Sequence, residues 1–241
     1  MPHRFGRVIT PVHAQVGDSH LAHLGSAVLV RTRSRFWLLS AAHVLKQQVN
    51  LWLGGKPQSF PLRGNLVWFG DPLDLAFTEL SAANSEALIN NGNSFLPIAR
   101  VDARTRDFSN FRMIAHGFPA RGIEIDGDSR EITATPTTLR SKFLSNVDLR
   151  KSNCDPALEV AGLYDILVDS NGQPVKKLEI RGLSGGAIWS RSEDDKLHLV
   201  GIVKEFDPKR KLVIGTRIRP LLVEMERRLA AADVEPSSPG V

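Results

Sequence analysis

The chain breaks into short apolar runs separated by Gly, Pro, Asn, Asp and Ser, and that spacing constrains its fold more than any other feature. Gly25-Ser26-Ala27-Val28-Leu29-Val30 and Arg35-Phe36-Trp37-Leu38-Leu39-Ser40 read as two strands around a polar turn. Similar runs recur at Gly6 to Thr10, Val49 to Leu53, Asn65 to Phe69, Leu75 to Leu80, Phe111 to Ala115, Ile123 to Ile125 and Glu131 to Thr135. They continue at Leu163 to Val168, Ala187 to Ser190, Leu197 to Val203 and Lys211 to Ile218. Many short strands with regular turn signals predict an all-β sandwich or barrel. The one convincing helix comes last. Pro220 suits a first helical turn, and Leu221, Leu222, Met225 and Leu229 share one apolar face that should dock on the strands. The tail from Val234 to Val241 is expected to fray. Residues 81–94, rich in Asn, Ser, Ala and Gly, and the polar stretch 102–110 read as connections between two halves.

Composition excludes several classes. The chain has 241 residues, 42% hydrophobic and 24% charged, enough for one large core or two small ones and too apolar for disorder. No apolar run is long enough to span a bilayer. The N-terminal residues lack the apolar core of a signal peptide, and the only cysteine, Cys154, excludes an internal disulfide framework; a cytoplasmic location is expected. The net charge of +5 is small and dispersed, and its densest cluster, Arg31 to Arg35, falls in a turn, so nucleic acid is not an expected partner. His20-x-x-His23 has the spacing of half a metal site but no Cys or acidic pair to complete it. With His13, these read as loop histidines, and no metal or cofactor is expected.

Chemistry is concentrated in Arg181-Gly182-Leu183-Ser184-Gly185-Gly186. Glycines on both sides of one hydroxyl suggest a tight turn that presents Ser184. A serine hydroxyl needs a base to become a nucleophile. Ser40-Ala41-Ala42-His43 places a histidine beyond a buried strand, and Asp74-Leu75-Ala76-Phe77 places a carboxylate at the start of an apolar one. A carboxylate there is costly without a hydrogen-bonding partner.

In this order, the three motifs resemble those of the trypsin/chymotrypsin-like serine proteases, and Leu199-Val200-Gly201-Ile202-Val203 resembles the strand that follows the serine in that family. The resemblance spans about residues 5–233. It implies two packed six-stranded antiparallel β-barrels with a C-terminal helix. Residues 1–100 would carry His43 and Asp74, residues 101–218 would carry Ser184, and residues 219–241 would form the helix and tail. It implies a triad in which Ser184 attacks, His43 carries the proton and Asp74 orients the imidazole, with the N–H groups of Gly182 and Ser184 as the oxyanion hole. The implied partners are a protein or peptide substrate and, where the hole is not preformed, an activating partner. Leu178 would floor the pocket for the side chain before the cut, with Phe206 and Val213 on its walls. That lining favours cleavage after Ala, Val or Leu, whereas Glu179, if it faces the pocket, would favour Arg or Lys.

The chain also departs from the family. Leu183 stands where the digestive enzymes have the aspartate used in zymogen activation. Ala187 replaces a usual proline, and Lys204 replaces a serine that commonly supports the triad aspartate. With no disulfides, the chain is closer to bacterial or viral members. Two rival readings remain. Gly182-Leu183-Ser184-Gly185 fits the α/β-hydrolase elbow, but that fold places its histidine after the serine, where only His198 stands, inside a strand-like run. A catalytically silent barrel that binds peptide or protein is the other, and labelling of Ser184 by a fluorophosphonate distinguishes it from an enzyme.

Overall fold

Runs rich in Val, Ile, Leu, Phe and Trp give this chain strands, of which the central ones, such as Phe36–Ala41, Ala187–Arg191 and Leu212–Arg217, are buried along nearly their whole length. The computed structural model describes residues 6–16, 20–46, 50–54, 59–125, 132–164, 181–191 and 196–234. The first sheet comprises β1 (Ile9–Val16), β2 (His20–Arg31), β3 (Phe36–Ala41), β4 (Leu51–Leu53), β5 (Phe60–Pro61), β6 (Val67–Phe69), β7 (Leu75–Glu79) and β8 (Leu96–Pro97). Its order is β5-β4-β1-β2-β3-β7-β6, with β8 parallel to β2 and every other pair antiparallel. The second sheet comprises β9 (Arg112–Gly117), β12 (Thr137–Lys142), β13 (Glu159–Leu163), β14 (Ala187–Arg191), β15 (Leu197–Asp207) and β16 (Leu212–Arg217). It is antiparallel throughout, in the order β12-β9-β14-β15-β16-β13. Between β9 and β12 in the chain, β10 (Ile123–Ile125) and β11 (Ile132–Ala134) pair as a separate two-stranded sheet. The all-β expectation holds. The second sheet has the expected six strands, and the first reaches eight because the two-residue strands β5 and β8 add to it.

Packing joins the sheets rather than leaving two separate cores. Ile9, Val28, Trp37 and Phe77 of the first sheet share one cluster with Ala187, Trp189, Leu199 and Ile202 of the second. The terminal helix α4 (Arg219–Val234) closes it with Leu221, Leu222 and Met225, as its apolar face predicts. Trp37 and Trp189 are each about fully buried, and burial of such a side chain contributes roughly 1.5–3 kcal/mol. A second cluster fills the first sheet under α1 (Ala42–Leu45) and α2 (Ala82–Asn90). A third, built on Met113, Leu139, Ile188, Val203 and Val213, fills the second sheet.

Several local expectations are corrected. Residues 82–90, read as connection, are helix α2. Ser81 caps it by accepting the Asn84 N–H at 3.1 Å, and alanines favour it. Its periodicity is faint because Leu88 alone is a fully buried apolar residue on it, while Ile89 is exposed. His116, read as turn, lies in β9 opposite Ala187 and Thr138. His13 and His23 are not loop residues; they face each other across β1 and β2. A further short helix, α3 (Asn146–Lys151), was not anticipated. Residues 165–168, Leu178, Glu179 and 235–241 lie outside the described residues.

Candidate active site

His43 and Asp74 are brought together by the end of β3 and the start of β7. The small residues Ala41 and Ala42 are buried, and the chain turns at once into α1, with the Ala42 N–H donating to the Asp74 carbonyl at 3.0 Å. The Asp74 carboxylate then receives two bonds from one residue. The His43 backbone N–H donates to Oδ1 at 2.9 Å, and His43 Nδ1–H donates to Oδ2 at 2.6 Å. Two bonds to one carboxylate fix the ring orientation and keep the proton on Nδ1, which leaves the Nε2 lone pair free. Asp74 has φ of 46°, a left-handed conformation uncommon for a side-chain-bearing residue. Its N–H is held by the Gly70 carbonyl at 3.2 Å.

Ser184 sits on a turn that the other sheet holds. The Arg181 carbonyl accepts from Ala120 N–H at 2.6 Å, and the Gly182 carbonyl from the Ser26 hydroxyl at 2.9 Å. The Leu183 carbonyl accepts from Gly186 N–H at 2.9 Å, and the Ser184 carbonyl from Ser26 N–H at 2.8 Å. In a planar trans peptide, C=O and N–H point in opposite directions. Tying down the carbonyls of Arg181 and Leu183 therefore turns the N–H groups of Gly182 and Ser184 away from those partners. Among the described residues, neither N–H meets a carbonyl. Gly182 has φ of 93°, and a Cβ there would press on the His23 imidazole and lie 2.8 Å from the Phe118 carbonyl. The close approach also needs Gly25, where a Cβ would lie 2.7 Å from the Ser184 carbonyl. Leu183 is fully buried in the core of the second sheet. The Ser184 hydroxyl donates to the Lys204 carbonyl at 3.3 Å, and among the described residues no hydrogen bond joins it to His43.

The support behind this turn escaped the sequence reading. The Ser26 hydroxyl accepts the Phe118 N–H at 2.8 Å while donating to Gly182, and the Ser40 hydroxyl holds the Ser26 carbonyl at 2.7 Å. His23 Nε2–H donates to the Phe118 carbonyl at 2.8 Å, and His13 Nε2–H to the Gly54 carbonyl at 3.2 Å. Their ring centroids are 5.3 Å apart. Burial pushes His13 down to about 3, with His23 adding to the effect, and burial also lowers His23. His116, bonded through Nδ1 to the Thr138 hydroxyl, is pushed down by burial to about 4. All three are therefore neutral in the folded protein at pH 7. A serine or histidine on a strand carries no local sign of such a contact, so composition and spacing could not find them.

The pocket residues are only partly placed. Phe206 and Val213 are opposite one another in β15 and β16. Phe206 is half-buried and lies edge-on to Tyr164 at 6.0 Å, whereas Val213 is fully buried in the core of the second sheet.

No family model matches the chain, and no curated protein matches it in sequence. Solved structures do match. The apo protease domain of MamO from Magnetospirillum magneticum aligns over 93% of this chain and 98% of its own, with 11% identity and a TM-score of 0.49. A serine endoprotease from Yersinia pestis aligns over 93% of this chain and 63% of its own, with 15% identity and a TM-score of 0.54. The HtrA-type protease AlgW, solved with a decapeptide, aligns over 94% of this chain and 66% of its own, with 15% identity and a TM-score of 0.54. The chain thus spans less than two thirds of the length of the latter two. No helix among the described residues is long and apolar enough to cross a membrane. Two sheets that share one core and are antiparallel but for the β2–β8 pair, a C-terminal helix, and the likeness to the Yersinia pestis and AlgW structures together give the chain the fold of the trypsin-like serine proteases.

Proposed function

We propose that the chain is a serine endopeptidase that cleaves peptide bonds through Ser184, His43 and Asp74. The observation that carries the reading is the pair of hydrogen bonds from His43 to the Asp74 carboxylate, of which the one from Nδ1–H leaves Nε2 as the only proton acceptor of the ring. In the proposed cycle, Nε2 takes the Ser184 proton as Oγ attacks the scissile carbonyl carbon. The carbonyl π electrons move onto oxygen, and the N–H groups of Gly182 and Ser184 meet that oxyanion. His43 then gives its proton to the leaving amine as the C–N bond breaks, forming the acyl-enzyme, and water repeats the sequence to release the acid. The Ser184 hydroxyl has first to leave the Lys204 carbonyl, and hydrogen bonds of this kind often tighten only when substrate is bound.

The reading includes a division of labour between residues 1–100 and 101–218, with residues 219–241 as an outer support. It also includes a selective regulatory role, drawn from the resemblance to disulfide-free bacterial members of the family, and a cytoplasmic location, which the single Cys154, free and buried, fits. An aspartate cannot arm the turn by pairing with a new N-terminus, because Leu183 holds that position inside the core. The hole is then either preformed or set by a partner or peptide. With Phe206 and the apolar residues around it, cleavage after Ala, Val or Leu is favoured. Dominant cleavage after Arg or Lys in a peptide library, lost in Glu179→Gln, would assign specificity to Glu179 instead.

The second reading is a catalytically silent peptide-binding module, favoured by the Ser184 hydroxyl pointing to Lys204 rather than to His43. A fluorophosphonate probe decides between them. Modification at Ser184, abolished in His43→Ala, supports the enzyme; no modification of the native chain, with a peptide still bound, supports the module.

A further inference from the structure

Lys204 occupies the bulge in β15, where the register with β16 shifts between Val203 and Glu205. A bulge frees a residue from the ladder and re-aims its side chain. Here the freed carbonyl receives the Ser184 hydroxyl at 3.3 Å. The side chain crosses to the other sheet. Its ammonium donates to the Pro72 carbonyl at 3.2 Å and pairs with Glu159 Oε1 at 3.1 Å. Glu159 is buried on β13, its other oxygen accepting the Asp155 N–H at 2.9 Å. Next to it, the Thr216 hydroxyl donates to the Leu73 carbonyl at 2.6 Å. Pro72 and Leu73 are the two residues immediately before Asp74. The second sheet therefore grips the turn that delivers the carboxylate, at two consecutive carbonyls.

We propose that Lys204, held by Glu159 and assisted by Thr216, is a positioning residue that fixes the Asp74 turn against the nucleophile strand. This rests on the serine-protease reading for its catalytic consequence, but not for its structural one. The residue matters because Asp74 adopts an uncommon left-handed conformation, which persists only when its surroundings hold it. The charge also suits the place. Burial works against it, but the bond to Glu159 and the nearby carboxylates of Glu159, Glu205 and Asp74 raise the Lys204 ammonium above its usual range. The family's usual serine supports the aspartate directly; here a longer side chain supports the backbone before it.

The test uses the full chain and four variants: Lys204→Met, Lys204→Arg, Glu159→Gln, and Lys204→Met with Glu159→Gln. The double variant removes both charges of the pair, so it keeps the fold if Lys204→Met alone does not, since the buried Glu159 carboxylate left without its partner is strongly destabilising. With a peptide substrate, Lys204→Met and the double variant should lower kcat about 10–100-fold with KM little changed, because small misplacements of catalytic groups act on the chemical step. Lys204→Arg should retain more activity than either. In an Asp74→Asn background, Lys204→Met should then cost little further, as expected for residues acting as one unit. An equal loss in both backgrounds would overturn the proposal and leave Lys204 a structural residue. A second readout does not need catalysis: the downfield proton resonance of His43 Nδ1–H bonded to Asp74 should broaden or vanish in the double variant while the melting transition persists. If the native chain neither labels nor cleaves, the protease reading fails, yet this resonance still decides the positioning role. An unchanged resonance in a folded double variant would reject it.

Discussion

The two halves of the candidate site are built differently. His43 and Asp74 satisfy each other: three hydrogen bonds join residues 42–43 to residue 74, all within the first sheet and its short helix. The Ser184 turn is held largely from outside. Ser26 of β2 and Ala120, in the turn after β9, take three of its carbonyls, and β15 receives its hydroxyl. The bonds between His43 and Asp74 are thus local, and the second sheet reaches that half only at the carbonyls of Pro72 and Leu73, whereas most bonds on the Ser184 turn come from residues distant in sequence. Loss of the Ser26 contacts should therefore disable the nucleophile before it disturbs the histidine.

The largest effect separates the halves by chemistry. Ser184→Ala and His43→Ala should each lower kcat by on the order of 10⁶ while leaving the fold intact. Near-normal turnover by either purified variant would break the comparison at its root.

Gly182→Ala should come next. The added Cβ meets His23 and the Phe118 carbonyl, and the positive φ disfavours it, so the turn must shift and its N–H with it. One oxyanion donor is worth about 3–4 kcal/mol of barrier, hence a loss of roughly 10²–10³ in kcat. The downfield His43–Asp74 resonance should survive. Its loss would show that the Ser184 turn also orients the histidine.

Acid stability sharpens the contrast at the interface. His13, near 3, and His116, near 4, are neutral in the fold, whereas an unfolded histidine protonates near 6.5. As pH falls below 6.5, the unfolded chain binds protons that the folded chain refuses, so stability declines until the folded groups titrate. Each pH unit in that window costs about 1.4 kcal/mol per fully depressed group. Melting temperature followed from pH 7 to about 4.5 should drop, and the slope should lessen in His116→Gln. An unchanged slope would mean that His116 is not buried neutral. The part of the window above about pH 5.5 lies clear of the carboxylate range, so the comparison of slopes is made there.

The smallest effect is Ser26→Ala. It removes the hydroxyl bonds to Gly182 and Phe118 but keeps the Ser26 N–H on the Ser184 carbonyl. A cost of about 1–3 kcal/mol is expected for leaving such buried groups unpaired. It should be divided between a lower melting point and a slower Ser184 labelling rate. A change in melting point alone would make Ser26 a packing residue.

Much of this was legible in order along the chain. Glycines around a hydroxyl, two alanines before a histidine, and a carboxylate opening an apolar strand each leave a local chemical signature, and the last helix announces its buried face through its period. Helix α2 left none, because one fully buried leucine makes no stripe. His13 and His23 misled for the opposite reason: their sequence spacing suggests loops or ligands, and only strand pairing shows them side by side. The sequence by itself determined the strand-rich class and the residue types that could do the chemistry, since both depend on neighbours within a few positions. Only the tertiary structure decided which carbonyls are tied down, which N–H groups turn free, and that Lys204 reaches across to the residues before Asp74. Those depend on the register between strands far apart in sequence, where a shift of one residue would reverse the face every side chain presents.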